Sequence, residues 1–571
     1  MYEKRWAYKS VPDQQVVKTL ARELNIDNTL ANMMVQRGIN SFEQAKDFFR
    51  PQLEHLHDPF LMTDMDKAVN RLEEAINKNE KILVYGDYDV DGTTAVALVY
   101  GFLSTFYQNI DYYNPDRYLE GYGVSLQGIE FAAQQGISLI ICLDCGIKAQ
   151  DKVKIAKEQY GIDFIVCDHH EPDDNLPEAV AVLDPKRKDC PYPYKELTGN
   201  GVGFKLLQAY CIRNSVPLQN LLQFIDLCVV SIASDIVPIT GENRILAYYG
   251  LKKLNENPHI GLKALKSVAG FNSNMGVENV VFVLGPRINA AGRIKHARDA
   301  VKLLLSDNFD EALAFAEEIQ KHNTERRVHD TRITEEALAM IEKDVWLSNT
   351  AKSTVLYRED WHKGVIGIVA SRCIEKYYRP TIIFTKTKEA MAAGSARSVA
   401  GFDLYSALEE CSHLLEQFGG HKHAAGMTLS IDNILSFQQE FDNVVSKYIT
   451  EEQLTPVINV DLKIRLADIT TKFHRIINQM APFGPENMQP VFVTENLTLK
   501  YTPRIMKEKH LKLELLEEET GAVFTAVGFG MVEEHYQKLT QQKSFKVAFQ
   551  IEENTFNNKT TLQLMLKDIK Y

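Results

Sequence analysis

The sequence predicts an α/β protein whose first large domain is built on a parallel β-sheet. Three short apolar runs, 82–85, 139–143 and 164–167, are rich in β-branched residues and are bounded by turn residues. Such runs are typical of strands that are buried on both faces. Helix-like stretches at 93–106 and 149–159 separate the runs, which is the alternation expected of a parallel sheet.

The segments around this sheet complete the first part of the predicted architecture. Residues 1–75 form an N-terminal helical cap, with helices expected at 15–24 and 41–49 and no chemistry of its own. Residues 76–305 form the domain that contains the sheet, in which apolar helices at 198–213 and 218–235 follow the strands.

A connecting helix is predicted for residues 306–346. Neither glycine nor proline occurs between Arg293 and Lys363, and apolar residues recur at helical spacing from 309 to 344. A helix of roughly 30 residues would span about 45 Å, which is long enough for a strut between two domains.

Two further domains are predicted after this helix. Residues 347–450 combine strands at 353–356 and 381–385 with helices and glycine-rich turns, which favours a smaller α/β domain. Residues 451–571 are rich in alternating runs, which predict a small closed β-barrel. The runs lie at 497–501, 510–514, 523–528 and 545–551.

Composition limits the possible classes of protein. The 571 residues, 45% of them hydrophobic, are enough for three or four domains, and no apolar run reaches the length of a membrane span. The first ten residues lack the apolar stretch of a signal peptide, so we expect a cytoplasmic protein. The eight scattered cysteines do not resemble a disulfide framework. A net charge of −12 argues against a uniformly basic nucleic-acid binder but permits a local basic groove.

Acidic and histidine residues follow each of the three predicted strands. They are Asp87, Asp89 and Asp91 after the first, Asp144 after the second, and Asp168, His169 and His170 after the third. In open α/β sheets the ligand site lies beyond the carboxyl ends of the strands, so these side chains should converge. So many acids would repel one another strongly unless cations lay among them. The pattern therefore predicts a site for two divalent metal ions, with carboxylates that bridge and imidazole that completes their shells.

Three other interpretations fit parts of this pattern. Residues 87–92 resemble the start of a calcium-binding loop, but the glutamate expected at the twelfth position falls on Leu98. Cys142 and Cys145 have zinc-ligand spacing, but no second pair accompanies them. A single aspartate at a strand end is most often a helix cap, although three strand ends in succession make that explanation unconvincing.

Four motifs resemble those of the DHH phosphoesterase superfamily: GDYDVDG at 86–92, LDCG at 143–146, DHH at 168–170 and SIASDIVPI at 231–239. The resemblance implies two Mn²⁺ or Mg²⁺ ions, held by a set that Asp235 completes. The implied ligands are Asp87, Asp89, Asp91, Asp144, His169 and Asp235.

Two assignments within these motifs stay open. The superfamily often has a histidine where this chain has Tyr85, so the direct ligands among the first three aspartates are uncertain and Asp87 is a candidate for that role. Asp168 and His170 are implied to be catalytic, and His170 either hydrogen-bonds a phosphate oxygen or orients His169.

Further blocks carry candidate nucleic-acid contacts. LGPRINAAGRI at 284–294 supplies Arg287, Asn289 and Arg293, either for phosphate contact or as part of a tight helix-packing turn. WHKGVIGIVASR at 361–372, GSARS at 394–398 and GGHKHAAG at 419–426 resemble the DHH-associated domain. Their arginine, serine and histidine side chains form a plausible anion pocket with exposed glycine N–H groups. These residues are Arg372, Arg397, Ser398 and His421.

The C-terminal region resembles the OB-type domain of the superfamily's long exonucleases, with APFGPENMQPVF at 481–492 at its entry. Phe524, Phe529, Lys509 and Lys512 are candidates for stacking and basic contacts, although most barrel aromatics form core.

The resemblance implies a metal-dependent 5′ to 3′ exonuclease that releases 5′-mononucleotides from single-stranded DNA in repair and recombination. It also implies a monomer, with a helicase and a single-strand-binding protein as possible partners and no membrane association. Two alternatives remain, namely a phosphodiesterase for cyclic dinucleotides or short oligonucleotides and an inactive single-strand-binding scaffold.

Overall fold

A computed structural model describes residues 3–117, 119–294, 297–387, 390–557 and 559–571. The side chains of 291–294, 297 and 556 lie outside this description. The elements of the N-terminal region are β1 (Arg5–Tyr8), α1 (Gln14–Leu24), α2 (Asn28–Val35), α3 (Phe42–Phe49), two 3₁₀ turns (Leu53–His55 and Pro59–Leu61) and α4 (Met65–Asn77). Each of the first three helices begins at a capping side chain, Asp13, Asp27 or Ser41, that accepts a hydrogen bond from the first turn.

The predicted cap is helical, but it is not an independent unit. Leu30 and Met33 of α2 pack into the hydrophobic core of the C-terminal domain, and β1 was not predicted.

The catalytic sheet contains five parallel strands in the order β3-β2-β4-β5-β6. Its elements are β2 (Ile82–Gly86), α5 (Val90–Ser104), β3 (Ile110–Tyr113), α6 (Leu126–Gln134), β4 (Leu139–Leu143), α7 (Gln150–Tyr160), β5 (Asp163–Cys167) and β6 (Ala181–Leu183). Ile82 and Val84 belong to the core on one face, whereas Leu83 and Tyr85 belong to the core on the other. This double burial explains the unbroken apolar run and confirms the predicted parallel sheet.

Helices then cover one face of the sheet and lead to the connecting helix. They are α8 (Gly199–Arg213), α9 (Leu218–Leu222), α10 (Ile225–Ser234), α11 (Gly241–Glu256), α12 (Ile260–Val268), α13 (Val277–Asn279), a π-helical turn (Val280–Leu284), α14 (Gly285–Ile294) and α15 (Ala297–Leu304). The single helix predicted for 218–235 is interrupted at residues 223–224, so that α10 begins anew and ends at Asp235.

The connecting helix α16 (Phe309–Lys343) has 35 residues and is followed by the short α17 (Val345–Asn349). At 1.5 Å per residue its length is about 52 Å. Ala312 and Ala316 near its start pack in the catalytic core, whereas Ile333 and Ala337 near its end pack in the core of the next domain. The helix therefore joins two separate cores, as predicted.

The next domain contains a mixed sheet in the order β10-β11-β9-β8-β7, in which only β7 and β8 are parallel. Its elements are β7 (Thr354–Tyr357), α18 (Ile366–Lys376), β8 (Thr381–Lys386), β9 (Met391–Arg397), α19 (Leu404–Glu410), a 3₁₀ turn (Ser412–Leu414), β10 (Gln417–His421), β11 (Ala424–Ser430), a second 3₁₀ turn (Ile431–Asn433) and α20 (Ile434–Tyr448).

The C-terminal domain is OB-like. It contains β12 (Val457–Val460), β13 (Leu462–Lys463), a 3₁₀ turn (Leu466–Asp468), α21 (Thr471–Gln479), β14 (Phe492–Leu499), β15 (Arg504–Met506), β16 (His510–Glu517), β17 (Ala522–Gly528), α22 (Val532–Gln541), β18 (Phe545–Phe556) and β19 (Lys559–Lys570). The sheet order is β13-β14-β18-β19-β17-β16-β15, and β14 also pairs with β16, so the sheet curls onto itself. Separately, β12 pairs in parallel with β1, which ties the N-terminal strand to this end of the chain.

One arginine links three parts of the molecule. The guanidinium of Arg244 on α11 donates to backbone carbonyls of Phe48, Met480 and Ala481, and it lies 3.8 Å from the centre of the Phe48 ring. The catalytic domain thus holds both the N-terminal cap and the entry to the C-terminal domain. Within the described ranges, no helix combines the length and apolar character that a membrane span requires.

Candidate metal centre

The acidic residues converge because the strands that precede them are neighbours in register. Gly86 of β2 pairs with Leu143 of β4, which pairs with Cys167 of β5. Asp87, Asp144 and Asp168 therefore leave the sheet side by side at its carboxyl edge, as the strand pattern predicted.

The remaining two aspartates of the first motif lie at the start of α5. Asp89 caps the helix, and its Oδ1 accepts a hydrogen bond from the Gly92 N–H at 3.0 Å. Asp91 is buried, and its carboxylate accepts from the Gly199 and Asn200 N–H groups, at 2.7 and 2.9 Å, and from the Ser231 hydroxyl at 2.7 Å. These bonds fix the orientation of Asp91 from two other helices, α8 and α10.

His169 lies at the centre of the carboxylates. Its Nε2 is 3.2 Å from an oxygen of Asp144 and 3.7 Å from oxygens of Asp91 and Asp235. Asp235, at the C-terminal end of α10, thus lies beside His169 together with Asp91 and Asp144, although it follows all three by more than 60 positions in the sequence. The fourth motif therefore converges with the other three.

Crowding of buried acids makes the metal-free site electrostatically unfavourable. Burial and the charge of Asp89 raise the pKa of Asp87 to about 8. Burial and the charge of Asp91 likewise raise the pKa of Asp89, and they raise the pKa values of Asp144 and Asp235 well above the usual range. Bound cations would remove this penalty, because they favour the ionised carboxylates.

The donor atoms fit divalent cations. Oδ2 of Asp87 and Nε2 of His169 are buried and have no hydrogen-bond partner among the described residues. Two groups offer three ligand atoms that lie within 4.8 Å of one another, namely Asp91, His169 and Asp235, and Asp144, His169 and His170. Carboxylate oxygens with imidazole nitrogen suit Mn²⁺ and Mg²⁺. Asp87 and Asp89 are outside both groups.

Asp168 orients His170 and the loop of the third motif. Its Oδ1 is 2.7 Å from Nδ1 of His170, and it also accepts from the N–H groups of residues 169 and 170. Although burial disfavours the charge of His170, the hydrogen bond to Asp168 and the nearby carboxylates raise its pKa to about 9. The Asp168 carboxylate thus favours the imidazolium form of His170, which suits contact with a phosphate oxygen.

Backbone geometry brings Asp144 close to α8. Asp144 has a positive φ of 57°, and the loop packs so tightly that a Cβ on Gly199 would lie 2.4 Å from the Asp144 Cβ. A glycine at the start of α8 is thus required for the approach of a ligand-bearing loop.

Tyr85 does not take the place of the histidine that is often found at its position in the superfamily. Its hydroxyl donates to the Gly123 carbonyl at 3.0 Å, and its ring is buried in the core on the other face of the sheet. Asp87, whose Oδ1 accepts from the Gly123 N–H at 3.1 Å, faces the carboxylates instead.

Part of the second domain faces this centre. Burial and the charges of neighbours, including His170, lower the pKa of His421, and burial and Arg117 lower the pKa of Arg397. The guanidinium of Arg397 donates to the Ser395 hydroxyl at 3.2 Å. The hydroxyl of Ser398, in contrast, donates to the carbonyl of Phe402, so it holds a turn of its own domain.

The arginines of the other blocks are more engaged. Arg287 is 7% exposed and donates to Gln320 and the Val283 carbonyl, which favours the packing interpretation. Arg372 forms an ion pair with Asp330 of α16 at 2.9 Å. Asn289 is partly exposed on α14, and the Arg293 side chain lies outside the described residues.

Two functional candidates, Tyr122 and Arg117, were missed in the sequence. The Tyr122 hydroxyl is 3.1 Å from Nε2 of His170 and donates to the Asp144 carbonyl at 3.2 Å. The Arg117 guanidinium lies 4.7 Å from the centre of the Tyr88 ring, and its charge acts on both Asp87 and Arg397. Both residues lie in the loop after β3, a strand that was not predicted from the sequence, so no strand-end pattern pointed to them.

The cysteine pair is buried within the sheet edge. Cys142 and Cys145 are free thiols with sulfurs 3.3 Å apart, and they join the core of the face away from α5. All eight cysteines are free and buried, which agrees with the absence of a disulfide framework in the sequence.

Comparisons with known proteins agree with this geometry. Family profiles match residues 81–232 (DHH family, N-terminal domain), 350–447 (DHHA1 domain) and 460–568 (RecJ OB domain). The chain is 38% identical to the single-stranded-DNA-specific exonuclease RecJ of Bacillus subtilis over 567 residues, which is 99% of this chain and 70% of that protein. It is 30% identical to RecJ of Escherichia coli over 573 residues, covering 97% of this chain and 98% of that protein.

Solved structures give the same relationship. The crystal structure of RecJ from Thermus thermophilus in complex with Mn²⁺ matches with a TM-score of 0.85 and 26% identity, covering 99% of this chain and 79% of that one. A Mg²⁺ complex of the same protein matches with a TM-score of 0.79. The chain thus matches the DHH, DHHA1 and RecJ OB profiles in succession and matches RecJ structures over nearly its full length. This chain belongs to the RecJ family of the DHH superfamily.

Proposed function

We propose that the protein is a metal-dependent exonuclease that degrades single-stranded DNA from the 5′ end and releases 5′-mononucleotides. The observation that carries the proposal is the convergence of Asp91, Asp144, His169 and Asp235 on one point. Family membership supports exonuclease activity on single-stranded DNA. The polarity and a role in DNA repair and recombination are part of the proposal.

The proposed metal ligands are the converging residues with the first-motif aspartates beside them. They are Asp87, Asp89, Asp91, Asp144, His169 and Asp235. When bound, a pair of Mn²⁺ or Mg²⁺ ions would lower the pKa of a water and neutralise charge on the phosphodiester. Asp168 would keep His170 protonated and oriented, so that its ring donates a hydrogen bond to a phosphate oxygen.

The phosphate clamp would come from both sides of the cleft. Arg397 and His421 of the second domain lie near the metal centre. The charge of Arg117 lowers the pKa of Arg397, and the charge of His170 lowers the pKa of His421. Guanidinium groups bind phosphate through paired hydrogen bonds, so Arg397 and Arg117 are suited to hold a terminal phosphate. Among the other candidates, Arg372 is 47% exposed and could be recruited from its ion pair, and Arg287, Asn289, Arg293 and Ser398 remain proposed contacts.

The OB-like domain would hold the strand at a distance from the cleft. Phe529 is 59% exposed and forms an edge contact with His510, and Lys509 and Lys512 lie on the adjoining hairpin. Phe524, in contrast, packs against the domain core, so it is a poor candidate for stacking. Exposed aromatics beside lysines are typical of OB surfaces that bind single strands.

The decisive experiment replaces Asp144. Asp144→Ala is expected to fold normally and to lose at least about 100-fold in the rate of hydrolysis of a 5′-phosphorylated single strand with Mn²⁺, because metal ligands contribute more than their outer-shell partners. Asp174→Ala is the matched control, since that carboxylate is 91% exposed on the loop after the third motif. Near wild-type hydrolysis by Asp144→Ala, or activity that survives a chelator, would refute the assignment.

Labelling either end of the strand tests the polarity and separates the alternatives. Faster hydrolysis of a dinucleotide than of a long strand would favour a phosphodiesterase for short substrates. Binding without turnover, with either metal, would favour a scaffold. The presence of an OB-like domain, which a very small substrate does not need, supports the long strand.

The proposal includes wider assignments. We propose a cytoplasmic monomer that receives its strand from a helicase or a single-strand-binding protein. We also propose the division into a cap (1–75), a catalytic domain (76–305), a connecting helix (306–346), a nucleic-acid-binding domain (347–450) and an OB-like domain (451–571).

A further inference from the structure

A second groove lies at the junction of the catalytic domain, the connecting helix and the second domain. It has a volume of about 770 Å³, within the range of ligand sites, and is separate from the acidic centre. Its walls are Ala290 of α14, one face of α16 and the segment 359–365 that leads into α18. Chemically it combines aromatic rings with cations.

The acidic side chains of the groove are already paired. Asp360 is 3.0 Å from Arg358, and Glu325 is 3.2 Å from Nδ1 of His322 on the same helix. Glu359 forms an ion pair with Lys386. The Arg358 and Lys386 cations offset the charges of Asp360 and Glu359, and the Glu325 carboxylate is held by the His322 ring.

An excess of guanidinium groups lies along α16 beside the groove. Burial lowers the pKa of Arg326, and the charges of Arg327 and Arg372 lower it further, against the opposing charge of Asp330. Burial, Arg327 and Arg326 likewise lower the pKa of Arg287. The negative charge of Asp330 opposes these effects on Arg326, but Asp330 already forms an ion pair with Arg372.

Arg326 also has capacity for a ligand. Its Nη2 donates to Asn323 at 3.1 Å, whereas its buried Nε has no hydrogen-bond partner among the described residues. A buried N–H without a partner is costly, and a phosphate oxygen would satisfy it.

The groove also offers stacked rings. His329 of α16 lies over His362 of the second domain, with ring centres 5.4 Å apart and planes inclined by 26°. Trp361, which also lines the groove, is 3% exposed, and its Nε1 donates a hydrogen bond to Glu336 at 2.8 Å. His329 is exposed, so its free face can receive a base.

We infer that this groove is a nucleotide-binding subsite on the path of the DNA strand, in which Arg326 binds a backbone phosphate and a base stacks on the His329–His362 pair. The inference rests on the proposed function and extends it, because the connecting helix then contacts substrate as well as joining domains. It predicts one preferred nucleotide position, set by the path from the acidic centre to the groove.

An abasic scan tests the subsite. Binding of a 5′-phosphorylated, 3′-fluorescein oligothymidylate is measured by anisotropy in EDTA, which prevents cleavage, with one nucleotide at a time made abasic. For the wild type, one position or two adjacent positions should weaken binding about 5-fold or more, since stacking of one base contributes at least about that factor. His329→Ala should weaken binding of the intact strand and abolish the additional loss at that position.

Arg326→Gln tests the phosphate contact independently. It should reduce the slope of log Kd against log salt by about 0.7, the value for one phosphate of a single strand. Arg332→Gln is the matched control, because that side chain is 48% exposed on the same helix and lies 4.0 Å from Glu336. Circular dichroism and thermal unfolding check that each variant folds.

The results distinguish this inference from the function on which it rests. A flat abasic scan, or a position-specific loss that persists in His329→Ala, overturns the subsite even if the wild type hydrolyses single strands with Mn²⁺. An Arg326→Gln slope equal to that of Arg332→Gln overturns the phosphate contact. Absence of hydrolysis by the wild type instead overturns the proposed function.

Discussion

Replacing Asp87 by asparagine is expected to stabilise the metal-free protein and to weaken its response to Mn²⁺. Asp87 is fully buried, and its pKa in the metal-free fold is about 8, owing to burial and to Asp89. In the unfolded chain an aspartate has a pKa of about 3.9. At pH 7 the folded protein therefore retains a proton that the unfolded chain releases.

The sign and size of the effect follow from this difference. An acid with a raised pKa in the fold destabilises the fold as pH increases, from about pH 4 until the folded pKa near 8 is passed. Because pH 7 lies about three pH units above the unfolded pKa of about 3.9, the penalty at pH 7 is at most about 4 kcal/mol in the free energy of unfolding. Asparagine resembles the protonated acid, and its oxygen can still accept the hydrogen bond from the Gly123 N–H. The penalty should thus disappear in the variant.

Urea unfolding in EDTA at pH 5 and pH 8 measures the effect. The free energy of unfolding of the wild type should fall relative to that of Asp87→Asn as the pH rises. Added Mn²⁺ should stabilise the wild type more than the variant, because a ligand is lost. Asp174→Asn, at an exposed carboxylate, is the control and should follow the wild type. An Asp87→Asn variant with the same pH dependence as the wild type would refute the electrostatic reasoning.

Three other substitutions probe packing around the site. Gly199→Ala places a Cβ 2.4 Å from the Asp144 Cβ, so the Asp144 loop must move. This displacement should reduce kcat on single-stranded DNA about 100-fold without unfolding the protein. An unchanged kcat would contradict the close packing. Glu242→Gln leaves the fully buried ammonium of Lys205 without its ion pair, and urea unfolding should show a loss of about 3–5 kcal/mol. Arg244→Met leaves several backbone carbonyls without donors. The free energy of unfolding should fall by about 3 kcal/mol or more, and the chain near residue 50 should become sensitive to limited proteolysis. A protease-resistant variant would show that other contacts hold the cap.

Much of the catalytic fold was predictable, because its determinants are local. A strand buried on both faces requires a continuous apolar run, and β2, β4 and β5 show this pattern with their acids directly after it. The connecting helix was predictable for the same reason, since absence of glycine and proline over its length is a local property.

Features that depend on distant partners were not predictable. The pairing of β1 requires residues 457–460, and the start of the sequence gives no indication of them. The sequence left Arg287 open between phosphate contact and a packing turn, and it placed Ser398 in an anion pocket. The hydrogen bonds of Arg287 to Gln320 and of Ser398 to the Phe402 carbonyl depend on the folded chain. Tyr122 reaches His170 from the loop after β3, and a single tyrosine between two glycines does not indicate its neighbour in space.

The parallel pairing of β1 with β12 has a consequence for biosynthesis. Arg5 lies opposite Val457, so the first strand has no partner until about 450 further residues have left the ribosome. At roughly 5–20 residues per second, that delay is about 20–90 s, during which the edge of β1 is exposed to other chains or to chaperones. Completion of the N-terminal strand is therefore a late step of maturation, and a fusion placed ahead of residue 5 would interfere with this pairing.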